Sequence, residues 1–493
     1  MKYLLGFDIG SSSVKTTLLE ISSGKAVASA FSPSSEMPMQ SSQPGFAEQD
    51  PDMWWNELKN AMDKLRQQVS FNGDEVAGIG IAYQMHGLVC VDKNLKPLRP
   101  SIIWCDSRAV DIGDKAFEEL GEKYCLKNFL NSPGNFTASK LRWVKKNEPG
   151  IYKNIYKVML PGDYIAMKLT DEPATTISGL SEGILWNFKK EQIAVDLLKH
   201  YGIDEDLLSP LVSTFGDQGR LSASSAAELK LKAGTPVSYR AGDQPNNAFS
   251  LNVLEPGEIA ATAGTSGVVY GIIDKPEYDP LSRVNTFVHV NHKKKNPRYG
   301  VLLCVNGTGI LNSWLRKNFF ADSSYEEINK EASMVAPGSD ELLIYPFGNG
   351  AERVLKNKDL GAVMKVLQFN RHHRGHIARA SQEGIVFALH YGVEIMKKMG
   401  LEIKKVRAGH TNMFLSEVFS SVFVNTLGCD LELYNTDGAT GAARGAGIGV
   451  GVYKNFTEAY SSMEKIKSYS PSKEGQQIYS SAYAKWKKQL KKL

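Results

Sequence analysis

The sequence predicts an α/β protein of two large domains, and three observations predict it. Strand patterns alternate with helical patterns in both halves of the chain, as in α/β architectures. The 493 residues exceed what one hydrophobic core supports. Two short Gly/Ser/Thr turns, each joining apolar runs, recur about 250 residues apart, as duplicated lobes would place them. The first lies in Phe7-Asp8-Ile9-Gly10-Ser11-Ser12-Ser13-Val14-Lys15 and the second in Ala263-Gly264-Thr265-Ser266-Gly267-Val268-Val269. Such hairpin turns leave backbone N–H groups and hydroxyls free to hold an anion. The implied architecture is two-lobed, with polyphosphate in a cleft between the lobes.

The elements follow in order. Residues 1–21 read as a hairpin. Residues 50–69 read as a helix, with Asp50 as N-cap, Pro51 at the first position, and Trp55, Leu58, Met62, Leu65 and Val69 at helical spacing. On this reading Trp54 and Trp55 belong to the helix core. A buried strand, Val76 to Ala82, ends in Tyr83-Gln84-Met85-His86-Gly87, and a hairpin turning at Asp92-Lys93-Asn94 follows. Helical patterns occupy much of 109–125 and 137–168. The Ser/Ala/Gly-rich segment 209–240 approaches a domain boundary, giving domains 1–245 and 246–493. Beyond it, strands are expected at 258–273 and 299–306, and helices near 309–319 and 323–335. A long core helix should run from about 374 to 399 and stop at Gly400. Strand-turn-helix follows at 406–412, and a polar helical region begins at Asn455.

Composition excludes several classes. Apolar residues are 42% of the chain, ordinary for a globular protein. The net charge of +5 owes much to the tail lysines 485, 487, 488, 491 and 492, which read as a solvated helix end; no nucleic-acid motif accompanies them. Five scattered cysteines, none in a Cys-x-x-Cys pair, argue for reduced thiols and against a disulfide framework or zinc site. The first strand pattern begins at Tyr3, no signal peptide is read, and no uncharged apolar run reaches membrane length. A cytoplasmic protein without membrane or nucleic-acid partners is expected.

A few residues could carry chemistry. Asp8 ends a strand beside the first turn; it either holds a Mg²⁺–water shell next to ATP phosphates or caps its own turn. Asp243, in Arg240-Ala241-Gly242-Asp243-Gln244, ends another apolar strand and suits a general base for phosphoryl transfer, or is an ordinary turn residue. His86 could donate to a sugar hydroxyl or sit satisfied in the core, and Trp104 and Asp106 could supply an apolar floor and an acceptor. The Gly/Ala-rich run 437–447 permits close backbone approach, to an adenine ring or to a neighbouring element. No P-loop and no Gly-x-Ser-x-Gly elbow are present, so the nucleotide site is of the actin–hexokinase hairpin type.

These blocks resemble the FGGY family of carbohydrate kinases over nearly the whole chain, and within it the xylulokinases. The first turn is similar to the family's opening phosphate motif. Glu48-Gln49-Asp50-Pro51 with Trp54-Trp55, Gln84-Met85-His86-Gly87, Arg99 to Arg108, Phe136 to Trp143 and Leu160 to Ile165 follow in family order. The resemblance implies the fold class: a two-domain actin-like ATPase of the ribonuclease H-like superfamily that includes sugar kinases, hexokinase and Hsp70, with a cleft between the lobes. It also implies ATP and Mg²⁺ as cofactors and a ketose as substrate. It implies Asp243 as catalytic base and Asp8, with Asp243, at the metal. Met85, His86, Trp104, Asp106 and Gln244 would bind the sugar. Gly10, Ser11, Ser12, Ser13, Lys15, Gly264, Thr265, Ser266 and Gly267 would hold phosphates, and Gly409, Asn412, Gly438 and Ala439 would approach the adenosine. The expected reaction is D-xylulose to D-xylulose 5-phosphate, with closure about a hinge near 243–258; kinases for L-xylulose, ribulose or a similar polyol, and a non-catalytic actin-like ATP-binding protein, are the alternatives. A homodimer is what the resemblance suggests. The chain departs from the family pattern at Gln244, where Asn is usual, at Ala408-Gly409-His410, at Glu352-Arg353-Val354-Leu355, and at polar Gln382 in a core helix.

Overall fold

Two mixed α/β sheets organise the chain in a computed structural model that describes residues 2–493. The first unit comprises residues up to Asn252 together with Phe287–Pro297 and Thr436–Met463; the second comprises Val253–Thr286, Arg298–Asn435 and Glu464–Leu493. The units are therefore not two contiguous stretches meeting at 245/246, because chain segments far beyond that point pack with the first unit.

The first unit is built on a five-stranded sheet in the order Val237–Gly242, Val76–Tyr83, Tyr3–Ile9, Val14–Glu20, Ala26–Ser32. Tyr3–Ile9 and Val14–Glu20 form the expected hairpin, with Asp8 opposite Lys15 and Ile9 opposite Val14. Val76–Tyr83 lies parallel between Tyr3–Ile9 and Val237–Gly242, and every one of its residues is buried, as its unbroken apolar run requires. Helix Pro51–Gln68 starts as read: Asp50 accepts from the Asp52 amide, Pro51 occupies the first position, and Trp54, Trp55, Leu58 and Leu65 join the core.

Helix Gly438–Gly449 packs on this sheet. A Cβ at Gly6 would collide with the Ala439 carbonyl, and one at Gly80 with that of Ala442. Glycines in the strands and Gly/Ala in the helix bring the two backbones together. The small-residue run 437–447 thus serves sheet packing in the first unit.

The second unit holds a seven-stranded sheet, and the six strands lying wholly within it run Tyr299–Val305, Gly267–Ile273, Glu258–Ala263, Lys405–Gly409, Leu431–Tyr434, Lys465–Tyr469. Glu258–Ala263 and Gly267–Ile273 form the second hairpin. Helix Arg374–Lys398 is buried over most of its length, as expected of a core helix.

Two local expectations are corrected, and the tail helix keeps its exposed lysines while burying an apolar face. Val89–Val91 does not pair across the Asp92 turn as a full hairpin; it pairs with Lys157–Met159 and only bridges Pro97. That strand interrupts the helical region 137–168, which resolves into Thr137–Asn147, Pro149–Tyr152 and Pro161–Thr170. The tail helix Lys473–Leu490 is amphipathic, with Tyr479, Tyr483 and Trp486 buried and Lys485 and Lys487 paired to Glu341 and Glu394. All five cysteines are free, and among the described residues no helix is long and apolar enough to cross a membrane.

Candidate active site

The first unit gathers most of the expected residues at the ends of its strands. Asp8 is the penultimate residue of the first strand, Tyr3–Ile9, and Asp243 opens helix Asp243–Ser250 directly after strand Val237–Gly242. Burial, with the like charge of Asp437 added and Lys15 opposing, pushes the Asp8 carboxyl up to about 6. Burial and then Asp8 push Asp243 up to about 7, against the Gln244 backbone and side-chain N–H groups. Asp8, raised by burial and Asp437, in turn raises Asp243, and the two carboxyls at the mouth of parallel strands form a site that a divalent cation would stabilise. The donor set of carboxylate oxygens suits Mg²⁺.

Gly242 is needed at this corner. A Cβ there would meet Met85 Cγ at 2.6 Å and overlap the Glu182 carboxylate. The close approach brings Met85, the end of strand 76–83 and Asp243 to one place. Burial and then Asp243 raise the Glu182 carboxyl well above the carboxylate range.

His86 adopts φ +62°, in the left-handed region where a non-glycine residue is strained. Its ring Nδ1 lies 2.8 Å from the Glu182 carbonyl and the ring packs edge-on to Phe136, with Phe287 also in contact. Lys140 donates from Nζ to the His86 and Ile103 carbonyls, 2.9 Å each. Burial pushes this lysine down to about 7. Trp104 is 49% exposed, and its indole donates to Ser11 Oγ at 3.3 Å. An exposed aromatic face beside a polar turn is a platform for the apolar face of a sugar.

Three assignments change. Asp106 is fully buried, its oxygens accepting from the Ala47 amide, the Arg108 amide and the Arg108 guanidinium. It is a structural acceptor and has no face for sugar. Lys15 is ion-paired with Asp437, which also caps helix 438–449 by accepting from the Thr440 amide at 2.8 Å. Gly438 lies against Asp8, where a Cβ would overlap its carboxylate, and Ala439 is buried under Gly6. These two residues belong beside Asp8 in the first unit.

The second unit carries the other turn. Gly264 and Thr265 line a cavity of about 1020 Å³ with Gly309, Asn329, Asn412 and Ser416, among others. A Cβ on Gly264 would meet only Asn412 Nδ2, at 3.5 Å, so the turn backbone is open. The turn is held from behind by the Gly309 and Ile310 amides, which donate to the Gly264 and Thr265 carbonyls at 2.9 and 3.2 Å. Ser266 continues the turn, and Gly267 begins the next strand, where a Cβ would overlap Thr308 Oγ1. Gly409 ends its strand outside the cavity lining, and Asn412 at φ +53° enters it. Gln382 finds polar partners: its Nε2 donates to Asn329 Oδ1 at 3.0 Å and its Oε1 accepts from Ser416 Oγ at 2.8 Å. That polar departure in a core helix thus ties two walls of the cavity. The size, with an apolar wall carrying a few polar groups such as Asn329 and Asn412, suits a nucleoside phosphate.

Sequence reasoning missed Glu182, Asp437 and the polar residue behind Gln382, Asn329. Asp437 had a signal, an acceptor just ahead of a small-residue helix; Glu182 had none.

The hairpin-entered sheets of the two units are those of a two-domain actin-like ATPase. A ligand-bound xylulose kinase from Lactobacillus acidophilus shares the fold with a TM-score of 0.89 at 22% identity, over 99% of this chain and 97% of that one. Residues 3–250 match the N-terminal domain and residues 259–449 the C-terminal domain of the FGGY family of carbohydrate kinases. The chain belongs to that family and is a sugar kinase. It is 28% identical to the xylulose kinase of Bacillus subtilis over 99% of this chain and 96% of that protein. It is likewise 28% identical to the L-xylulose/3-keto-L-gulonate kinase of Escherichia coli, over 98% and 96%.

Proposed function

We propose that this kinase transfers the γ-phosphoryl group of Mg–ATP to a ketopentose, D-xylulose first, giving the 5-phosphate. The observation that carries the reading is the Asp243 carboxyl, set at a strand end beside Asp8 and Met85 and raised to about 7. A base of that strength is matched to a sugar hydroxyl at neutral pH. Asp243 accepts the hydroxyl proton as the P–O bond to the sugar oxygen forms and the bond to the β-phosphate oxygen breaks. Asp8, with Asp243, would hold Mg²⁺, which would supply charge neutralisation on the phosphate oxygens. The backbone amides of turns 10–13 and 264–267 take phosphate oxygens, and the cavity beside Gly264 and Asn412 takes the nucleoside. His86 and Trp104 bind the ketose, and Gln244 steadies Asp243. Without sugar, water can take the hydroxyl's place, so slow ATP hydrolysis is expected.

The equal identity to the L-xylulose/3-keto-L-gulonate enzyme makes a kinase for another ketose the second reading. The test is ADP release with Mg–ATP across a ketose panel, with Asp243→Ala as control. Turnover with D-xylulose that the variant loses supports reaction, substrate and base together. Turnover with only another ketose replaces the substrate and keeps the base. Sugar-dependent turnover that survives in Asp243→Ala removes the base assignment.

A further inference from the structure

Gln49 is almost fully buried, 1% exposed, and spends every hydrogen-bonding position of its amide. Nε2 donates to the Ser11 carbonyl at 2.7 Å and to the Pro38 carbonyl at 3.4 Å. Oε1 accepts from the Trp54 indole at 3.1 Å and from Gln84 Nε2 at 3.4 Å. The amide orientation is fixed by these partners, since two are carbonyls and one is an indole N–H. Ser11 lies in the first phosphate turn. Gln84 directly precedes Met85 and His86, and its own amide donates to the Ile9 carbonyl at 2.8 Å. Trp104 grips the same Ser11 from the other side through Oγ. The turn is further tied by the Met37 amide, which donates to the Ser12 carbonyl at 2.8 Å.

We propose that Gln49 is a positioning residue that locks the first phosphate turn, residues 10–13, to the strand end that carries Met85 and His86. The inference rests on reading the turn and His86 as parts of one kinase site. A buried amide that donates to one element and accepts from another fixes their spacing without placing a charge next to Asp8. Neither test replacement does both: leucine fills the space without donating, and a carboxylate sets negative charge against two carbonyl oxygens. Small misplacement of a phosphate-binding group is enough to slow transfer while binding persists.

The test compares Gln49→Leu, Gln49→Glu and Gln84→Met with wild type, by amide hydrogen exchange of peptides spanning residues 10–13 and by steady-state kinetics. In Gln49→Leu, exchange at the turn should rise about tenfold while the sheet stays protected. Its kcat should fall about 10- to 100-fold, with the ketose KM within about threefold. Gln49→Glu carries a buried carboxyl that donates to Ser11 only when protonated. Its turn protection and its rate relative to wild type should therefore be nearest normal at low pH and fall as the pH rises. Gln84→Met breaks the link from the strand side and should reproduce part of the kcat loss, with less than additive effect in the double variant. Melting temperatures at each pH separate these effects from loss of fold. Wild-type exchange at the turn and wild-type kcat in a folded Gln49→Leu protein would overturn the proposal, as would a pH-independent Gln49→Glu. Absence of sugar-dependent turnover in wild type would remove the kinase reading alone, because the exchange experiment needs no substrate.

Discussion

The two Gly/Ser/Thr hairpin turns are made of similar small residues and held by different means. The first, at 10–13, is surrounded by side-chain polarity: Asp8 and Asp437, Lys15, the Trp104 indole and the buried Gln49 amide. The second, at 264–267, is held from behind by backbone amides of Gly309 and Ile310 and faces a cavity of about 1020 Å³. The first fixes charges in a desolvated place, which costs stability and sets up chemistry. The second fixes a shape, which needs only glycine and room. On the proposed reading, a catalytic end and a nucleotide end are built from one hairpin motif by changing what stands behind it.

The comparison can be broken most sharply at the charged end. Asp243→Asn should lower kcat by about 10²-fold or more, as expected for loss of a general base. The folded protein should also become more stable at neutral pH. The sign follows from the shift: the carboxyl rises from 3.8 to about 7 in the fold, so its favourable contribution is full below about pH 4 and disappears as the pH rises through about 7. Removing the charge should recover about 1–2 kcal/mol by thermal melting, less than the full shift because Asp243 is partly exposed. In wild type, kcat/KM should drop about tenfold per pH unit below about 7 as the base protonates. A flat profile between pH 5 and 7 would place the base elsewhere.

The shaped end should answer to a methyl group. Gly309→Ala puts a Cβ into the Gly264 carbonyl. Overpacking of this kind costs about 1–3 kcal/mol, and the nucleotide KM should rise about tenfold with the ketose KM unchanged. Equal change in both constants would mean the turn is not a nucleotide element.

His86→Ala should raise the ketose KM about 5- to 30-fold, the worth of one or two hydrogen bonds, with nucleotide KM unaltered. An unchanged ketose KM would return His86 to the core.

Lys15→Met should have the smallest effect. The ion pair with Asp437 is about one-third exposed on both sides, so stability should move by less than about 1 kcal/mol. Lys15 lowers Asp8, however, so its loss should push Asp8 further up and move the acid limb of the rate to higher pH. An unmoved limb would uncouple Lys15 from the catalytic end.

Much of this was legible in the chain because it is local. Asp50-Pro51 started its helix, the 3–20 and 258–273 hairpins formed at their turns, and helix 309–319 fell on its pattern. Trp54 and Trp55 went to the core as their spacing required. The strand at 157–159 was not legible, since a three-residue strand inside a helical pattern is decided by its partner at 89–91. Asp106 and Arg108 illustrate the same limit. In the sequence Asp106 reads as a substrate acceptor, and only packing sets the Arg108 guanidinium on its carboxylate.

By itself, the sequence determined the two hairpins, the alternation of strand and helix, the strand-end placement of Asp8, His86 and Asp243, and the family. Those depend on neighbours in the chain: turn residues, periodicity and apolar runs. The tertiary structure alone decided which carboxylates face each other, that Asp437 neutralises Lys15 beside Asp8, that the 438–449 helix lies on the first sheet, and that Gln49 joins Ser11 to Gln84. Each of these pairs residues 35 or more positions apart, Gln84 and Gln49 by 35 and Lys15 and Asp437 by 422. No local propensity encodes such a meeting; it follows from how glycine and alanine let one backbone settle against another.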